Sequence, residues 1–318
     1  MADLSYRASI KSVDVEELVD FYFHRPVAWL IARALFATRV TPDQVTWSSM
    51  VVGVAAGAAS VTGFWSGAPR LSLGGALLVA SAILDCADGQ LARLRKTSSS
   101  FGRMLDGAVD AIVQAAVLAA LAAHVWWRHG GPSPGAPFVG DPGPGGPWLW
   151  LALWAVAVAT GAAHTTLYDH FKNVYLLHTH PTQREGSDDP EEVEASYDAR
   201  RPTPWQFADW LRFFLYRRYV PQQRSMLAWV DPGIPRRFRD MPGYSEEGAR
   251  RYRALHRGLM RAWSFYGIGT HIFALGVLMA LDRVELYIAA RIAVFNLGLL
   301  ALVPLQRRAS RAYFGGAP

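Results

Sequence analysis

Long apolar stretches separated by polar segments dominate the chain. The hydrocarbon core of a membrane requires about 20 mostly apolar residues per helix. Stretches of this kind occur at residues 45–63, 71–91, 104–127, 147–168, 259–281 and 284–305. The last two are separated only by Asp282 and Arg283. The pattern predicts an all-α integral membrane protein with six transmembrane helices.

A shorter apolar segment, residues 25–36, precedes the first predicted span. It is too short to cross a membrane, and a helix there would place Arg25 and Arg33 on the same side with apolar residues opposite. We therefore predict an amphipathic helix that lies in the membrane interface. Thr41 followed by Pro42 is a favourable N-cap and first helical residue, so we expect the first transmembrane helix to begin there.

Arginine and lysine are unevenly distributed among the connecting segments. The segments before span one, between spans two and three, between spans four and five, and after span six hold most of them. The alternate connections carry only Arg70, Arg128 and Arg283. Because positive residues are retained on the cytoplasmic side, the basic segments are predicted to be cytoplasmic. Residues 1–24 carry acids and no apolar stretch of the signal-peptide type, so none is expected there.

These predictions divide the chain into four segments. Residues 1–40 are the N-terminal segment with the interfacial helix, and residues 41–178 hold transmembrane helices 1–4 with the candidate chemistry. Residues 179–257 are predicted to form a cytoplasmic insert between helices 4 and 5, and residues 258–318 hold helices 5 and 6 with a tail. A Gly/Pro-rich loop at 130–147 would lie on the far side of the membrane.

Composition and charge agree with this arrangement. The chain has 318 residues, of which 51% are hydrophobic, and a mean hydropathy of +0.10. These values exclude both an ordinary soluble protein and one embedded throughout its length. The single cysteine, Cys86, excludes an internal disulfide and a cysteine-based zinc site. A net charge of +6 suits membrane lipids or nucleotides as partners, and membrane orientation explains it without a nucleic-acid partner.

Four aspartates flank the predicted turn between spans two and three. Asp85 and Asp88 are three residues apart and share one helix face, as do Asp106 and Asp110, which are four apart. A carboxylate costs roughly 2.5–3.5 kcal/mol at the centre of a membrane helix, and less near its end. Divalent cations offset this cost. Carboxylate oxygens suit Mg²⁺ or Mn²⁺, and two such ions can hold a pyrophosphate.

The segment from Asp85 to Asp110 carries a longer pattern, D-x2-D-G-x2-A-R-x8-G-x3-D-x3-D. It matches the signature of the CDP-alcohol phosphotransferase family at every specified position. The six-span layout and residues 41–46 are also similar to that family, and the chain departs from it mildly at Asp43, where members often have Asn. On these residues the chain resembles a CDP-alcohol phosphotransferase.

The resemblance implies roles for specific residues. Asp85, Asp88 and Asp106 would bind metal, and Asp110 would be both a ligand and the base that deprotonates the acceptor hydroxyl. The residues expected to line the CDP pocket are Gly89, Ala92, Arg93 and Gly102. The implied reaction is metal-assisted attack of an alcohol on the phosphorus distal to cytidine, which releases CMP, in phospholipid or phospho-polyol biosynthesis. A homodimer with its active site at the cytoplasmic face is also implied.

The substrates stay open at this point. The donor can be CDP-diacylglycerol, with a polar acceptor such as inositol phosphate or glycerol phosphate. Alternatively, it can be a CDP-linked polar alcohol, with a lipid or sugar-phosphate acceptor. Residues 90–96 and 99–102 look slightly more like members that use CDP-inositol-type donors. Lys172, near the end of the fourth span, is a candidate contact for an acceptor phosphate.

Two other classes of protein use similar residues. A membrane prenyltransferase also holds Mg²⁺ and a diphosphate with aspartates, but its carboxylates are normally denser and repeated on two distant helices. A divalent-cation transporter also places acidic ligands in its spans. Here all four carboxylates cluster at one membrane face with no evident polar path across, which argues against a transporter.

Overall fold

The computed structural model describes residues 6, 14–66, 71–97, 100–132, 145–181, 225–235 and 240–315. Within these ranges the chain is helical and contains no β-strand. The helices are α1 (Arg25–Leu35), α2 (Pro42–Ser66), α3 (Leu71–Arg95), α4 (Ser100–Arg128), α5 (Gly146–Thr179), α6 (Glu246–Trp263), α7 (Ile268–Ala280), α8 (Val284–Ala290) and α9 (Asn296–Phe314). Single π-helical turns, Asp20–His24 and Arg291–Phe295, precede α1 and α9.

Five helical stretches in these ranges are long and apolar enough to cross a membrane. They are α2, α3, α4, α5 and the continuous stretch Val284–Phe314, and a sixth is counted if α6 and α7 together form one bent span. Large apolar side chains such as Val51, Leu73 and Ile112 are exposed on these helices. Exposed apolar surface of this kind is expected where helices face lipid. An all-helical protein with five to six candidate spans is therefore confirmed.

The chain divides into two compact units. The first consists of residues 1–162 and 267–296, and the second of residues 163–266 and 297–318. The core of the first unit is formed by buried side chains from α2, α3, α4, α5, α7 and α8, among them Leu78, Leu121, Trp154, Met279 and Ile288. The four aspartates of the predicted site all lie in this first unit.

The second unit is held together by buried polar contacts as well as aromatic packing. Trp263 Nε1 donates to Gln306 Oε1 at 3.0 Å, and the Ser310 hydroxyl donates to Asp231. Arg307 donates to the backbone carbonyls of Val230 and Trp229. The central parts of the predicted insert (182–224 and 236–239) and of the Gly/Pro loop (133–144) lie outside the described residues.

Helices α3 and α7 approach each other closely at a pair of glycines. A Cβ on Gly75 would lie 2.2 Å from the carbonyl oxygen of Gly276. A Cβ on Gly276 would lie 2.6 Å from a methyl carbon of Val79. Neither position accepts a side chain without moving a helix backbone or its neighbour. This contact holds α7 directly against the helix that carries Asp85 and Asp88.

The predicted helix at residues 25–36 is present as α1. Its buried residues, Ala28 and Ala32, pack in one cluster with Ala87 and Leu91 of α3. Leu30, on another face of α1, is 59% exposed. The helix thus has one face against α3 and an apolar face left open, and its location in the membrane interface stays a prediction.

The junction between α1 and α2 is fixed by Arg95, which lies in the last turn of α3. Its guanidinium donates to the backbone carbonyls of Leu35, Phe36, Thr38 and Val40. The final carbonyls of a helix have no intrahelical partner, so a multidentate donor is well suited to them. The sequence indicated only that Arg95 was one of several positive charges near this membrane face.

The predicted start of the first long helix is confirmed. The Thr41 hydroxyl accepts from the Gln44 backbone N–H at 3.3 Å, and the Gln44 side chain accepts from the Thr41 N–H at 3.0 Å. This reciprocal pair is a capping box, with Pro42 as the first helical residue.

The predicted fifth span, residues 259–281, differs from the structure in one respect. It is interrupted by a 3₁₀ turn, Ser264–Tyr266, and by extended backbone at Gly267. The preceding helix, α6, already begins at Glu246 inside the predicted insert. Its first turns are rich in charged residues, so an apolarity pattern does not detect them.

The N-terminus of α7 receives the carboxylate of Glu17. This carboxylate accepts from the backbone N–H groups of Gly269 and Thr270, at 3.2 and 2.6 Å, and from the Thr270 hydroxyl at 2.8 Å. A negative charge is favoured at a helix N-terminus, where N–H groups lack intrahelical partners. Through these bonds, Glu17 attaches the segment that precedes α1 to the N-terminus of α7. Glu17 and α7 are separated by some 250 positions in the sequence.

Burial, together with the neighbouring Asp20 carboxylate, raises the pKa of Glu17 to about 7 against the lowering effect of the three hydrogen bonds. The folded-state pKa therefore lies above the unfolded value. Stability contributed by protonated Glu17 is present below about pH 4.5 and is lost as pH rises through about 7. A shift of this size corresponds to a free energy on the order of 3 kcal/mol.

We predict that Glu17→Gln removes this part of the pH dependence. The thermal unfolding midpoint of the detergent-solubilised variant should fall less than that of the wild type between about pH 5 and about pH 8. The exposed Glu247, replaced in the same way, should leave the wild-type profile unchanged. Parallel profiles for wild type and Glu17→Gln would show that Glu17 does not titrate in this range.

Candidate metal centre

The end of α3 is shaped for a tight turn toward α4. The Thr97 N–H donates to the carbonyl of Ala92 at 2.9 Å, and the Lys96 N–H donates to that of Arg93 at 3.1 Å. Lys96 has a φ of 57°, in the left-handed region. This pattern is a Schellman motif, which ends a helix and reverses the chain. It allows the first turns of α4 to return beside the last turns of α3.

Three aspartates meet where these two helices adjoin. Asp85 and Asp88 come from α3 and Asp106 from α4, and one carboxylate oxygen from each lies within 4.8 Å of the other two. Asp88 is 6% exposed, and Asp85 and Asp106 are partly buried. Like charges at this separation repel strongly in a medium of low dielectric constant. With all three carboxylates ionised, the arrangement is therefore unfavourable unless a positive charge compensates them.

Asp88 is oriented by a residue from a third helix. The hydroxyl of Thr46, in the second turn of α2, donates to Asp88 Oδ2. Thr46 is itself buried, at 4% exposure. The bond fixes the orientation of the Asp88 carboxylate. Sequence reasoning noted residues 41–46 as similar to the family but assigned no role to Thr46.

Asp110, the fourth aspartate, is not among the three whose oxygens converge. It lies one turn further along α4 than Asp106 and is exposed rather than buried. With Asp85 it lines a cavity of about 100 Å³ within the first unit. The structure therefore brings together three of the four predicted ligands and places the fourth on the wall of an adjoining cavity.

The residues predicted to form the CDP pocket follow the same two helices. Gly89, Ala92 and Arg93 lie on the last turns of α3, and Gly102 lies in the first turn of α4. A Cβ on Gly89 would lie 3.3 Å from the Arg93 guanidinium, so the glycine gives that side chain room.

Lys172 belongs to the second unit. Its ammonium lies 2.7 Å from Asp169 Oδ1 and over the ring of Tyr168 at 5.0 Å. Its predicted contact with an acceptor phosphate stays a prediction.

The cavity next to the aspartates is also lined by residues that sequence reasoning missed. Asp20 and His24 reach it from the π-helical turn before α1, together with Ile268 and Gly269 of α7. The sequence offers one signal that these two residues could act together: in the segment DFYFH, the acid Asp20 and the histidine His24 are four residues apart. That signal is common in unrelated helices.

The three converging aspartates fit a divalent cation. Carboxylate oxygens are the ligands that Mg²⁺ and Mn²⁺ prefer. Asp85 Oδ1 is fully buried and has no hydrogen-bond partner among the described residues. A buried oxygen of this kind is costly unless a ligand satisfies it. The fold and the site together define a protein of long apolar helices with a cluster of three carboxylates whose chemistry suits a hard divalent cation.

Comparison with known proteins shows a family match over part of the chain. Residues 39–169 match the family described as CDP-alcohol phosphatidyltransferase. This range contains α2, α3 and α4 with all four aspartates. This part of the chain is therefore similar to that family, and the resemblance recognised in the aspartate pattern is confirmed.

Several curated proteins are similar over part of the chain. The "Phosphatidylinositol phosphate synthase" of Mycobacteroides abscessus is 38% identical over 98 residues, which are 30% of this chain and 40% of that protein. The "Bifunctional IPC transferase and DIPP synthase" of Aquifex aeolicus is 31% identical over 116 residues, 36% of this chain and 22% of that protein. The protein of the same name from Rubrobacter xylanophilus is 39% identical over 88 residues, 28% of this chain and 19% of that protein.

The matched region thus spans 40% or less of the length of each of these relatives. The names of the family and of the relatives indicate a transferase of phosphate-containing groups.

We predict that Thr46→Val weakens Mn²⁺ binding by about tenfold, because an outer hydrogen bond that orients a metal ligand is lost. Isothermal titration calorimetry of the detergent-solubilised protein measures the effect. Ser48→Ala is a matched control, since Ser48 lies on the same helix and its hydroxyl donates to the Gln44 carbonyl. Equal Mn²⁺ affinity in wild type and Thr46→Val would contradict a role for this bond in the centre.

Proposed function

We propose that this protein is a metal-dependent CDP-alcohol phosphotransferase. It transfers a phosphoalcohol or phosphatidyl group from a CDP-linked donor to an alcohol acceptor and releases CMP. The observation that carries the proposal is the convergence of Asp85, Asp88 and Asp106 within 4.8 Å, inside the domain that matches the family. Three carboxylates in this arrangement suit Mg²⁺ or Mn²⁺, and the donor pyrophosphate supplies further oxygen ligands.

In the proposed reaction, the acceptor oxygen forms a bond to the phosphorus distal to cytidine. The bond from that phosphorus to the bridging oxygen breaks, and CMP leaves with the electron pair. Asp110 takes the proton of the acceptor hydroxyl, a role supported by its position on the cavity wall beside Asp85. Bound divalent cations supply charge neutralisation for the carboxylates and for the attacking and leaving oxygens.

The residues around the centre have supporting roles in this proposal. Asp85, Asp88 and Asp106 hold up to two ions, with Asp110 as a further ligand on the side of the cavity. Gly89, Ala92, Arg93 and Gly102 bind CDP, and the Arg93 guanidinium meets a phosphate. Lys172 contacts an acceptor phosphate.

The names of the relatives favour an inositol-containing substrate. One relative is named for phosphatidylinositol phosphate. Residues 90–96 and 99–102 look slightly more like members that use CDP-inositol-type donors. We infer that inositol or inositol phosphate is carried by the donor or by the acceptor. Donors of both kinds therefore belong in the first assay.

The membrane arrangement completes the proposal. In this proposal the chain crosses the membrane six times, and the aspartates lie at the cytoplasmic face beside the basic segments. The segment 179–257 recognises the acceptor from the same side, and two chains associate as a homodimer.

We predict CMP release from one class of donor when the purified protein is supplied with Mg²⁺ or Mn²⁺. The donors are CDP-diacylglycerol, CDP-inositol, CDP-ethanolamine and CDP-choline, each offered with inositol 1-phosphate, glycerol 3-phosphate and lipid acceptors. Asp110→Asn should lower the turnover number by at least about a hundredfold, since a general base contributes that much. EDTA should abolish the reaction.

Asp282→Asn is the matched control for that variant. Asp282 lies in the turn between α7 and α8, where it pairs with Arg128 at 2.6 Å and has a φ of 56° that Asn also adopts. It should retain wild-type turnover. A folded, metal-loaded wild type that yields no CMP from any donor would contradict the proposed function.

A further inference from the structure

The cavity beside the aspartates extends beyond the matched family region. Its walls include Asp85 and Asp110 of α3 and α4, and also Asp20 and His24 of the segment before α1. Ser81 and Gln114 add polar side chains to the same cavity. Asp20 and His24 lie before residue 39, where the family match begins. Asp20 and His24 therefore line the same cavity as Asp85 and Asp110 of the predicted reaction centre.

Asp20 and His24 form a hydrogen-bonded pair. His24 Nδ1 lies 2.8 Å from Asp20 Oδ1. A carboxylate only accepts hydrogen bonds, so the Nδ1–H of the ring is the donor. In the neutral ring this leaves Nε2 with a lone pair. His24 is 1% exposed, and its Nε2 has no hydrogen-bond partner among the described residues.

The backbone and the neighbouring helix hold this pair in place. Asp20–His24 is a π-helical turn closed by a bond from the Arg25 N–H to the Asp20 carbonyl, and such turns are frequent at functional sites. A Cβ on Gly269 would lie 2.3 Å from Asp20 Oδ1, so α7 accepts the carboxylate only because this residue is glycine. The ring of Phe273 packs edge-on against His24 with centroids 5.7 Å apart. The imidazole therefore has a defined orientation.

A buried acceptor without a hydrogen-bond partner among the described residues, in a cavity next to the predicted reaction centre, fits the hydroxyl group of a substrate. We propose that His24 Nε2 accepts a hydrogen bond from a hydroxyl of the substrate, with Asp20 as the positioning residue that sets the ring tautomer. The inference rests on the proposed function. Hydroxyls occur on a polyol substrate and on the ribose of the CDP donor, and both present the same O–H donor to His24.

The test combines substitutions of His24 with removal of substrate hydroxyls. The donor and acceptor pair that gives CMP with the wild type is compared with monodeoxy analogues of its inositol or glycerol moiety and with the 2′-deoxycytidine form of the donor. One analogue should raise the wild-type KM about tenfold, as expected for a hydrogen bond to a buried group. His24→Leu should raise the KM for the parent substrate by a similar factor and leave kcat within about twofold.

The decisive result is the combination of the two changes. With His24→Leu, the sensitive deoxy analogue should bind as well as the parent substrate, because the partner of the missing hydroxyl is already gone. The identity of that analogue shows whether the hydroxyl belongs to the polyol or to the ribose. If the KM increase caused by His24→Leu and the increase caused by the deoxy substitution multiply for every analogue, the inference is overturned. An unchanged KM for the parent substrate in His24→Leu would also overturn it.

Two further variants separate binding from folding. His24→Gln keeps a polar group near the position of Nε2, so it should recover most of the affinity; the smaller apolar replacement His24→Ala takes the place of His24→Leu if the latter does not fold. His256→Gln is the control for loss of a buried histidine, because His256 stacks on Tyr252 in the second unit and does not line the cavity. It should retain the wild-type KM. Failure of the wild type to form CMP from any donor overturns the proposed function itself, whereas CMP formation without His24 dependence overturns this inference alone.

Discussion

The repulsion among Asp85, Asp88 and Asp106 is the constraint on which the site depends. Their oxygens lie within 4.8 Å of one another at the end of two apolar helices. Neither lipid nor a low-dielectric core stabilises three such charges. A bound divalent cation would make the arrangement favourable when all three are ionised, and it would also supply positive charge for phosphate oxygens. The same interaction thus explains the cluster and gives it a chemical use.

Contacts distant in sequence keep the aspartates in position. The Schellman turn at Lys96 reverses the chain between α3 and α4, and Thr46 orients Asp88 from α2. Arg95 fixes the junction of α1 and α2 to the end of α3. On the other side, Glu17 attaches the N-terminal segment to α7 and so places Asp20 and His24 on the cavity wall. The centre is therefore supported by most of the first unit, which agrees with the rigid support that metal sites require.

The sequence predicted the parts of this structure that have a periodic or local signal. Apolar stretches located the long helices, and Thr41 with Pro42 located the start of α2. The spacing of the aspartates put Asp85 and Asp88 on one face, and the signature indicated a resemblance that the family match over residues 39–169 confirms. In contrast, the start of α6 at Glu246 was not located, because its first turns are charged. Thr46 and His24 were missed because their roles arise from contacts between separate segments. No local pattern distinguishes such residues from ordinary helix positions.

The central claim is that Asp85, Asp88 and Asp106 hold a divalent cation. Anomalous X-ray scattering from crystals grown with Mn²⁺ locates the ion directly and does not depend on the identity of the substrates. The account predicts an anomalous peak within coordination distance, about 2.0–2.4 Å, of oxygens from all three aspartates. At saturating Mn²⁺, the absence of a peak there, or a peak at another cluster only, would contradict the claim.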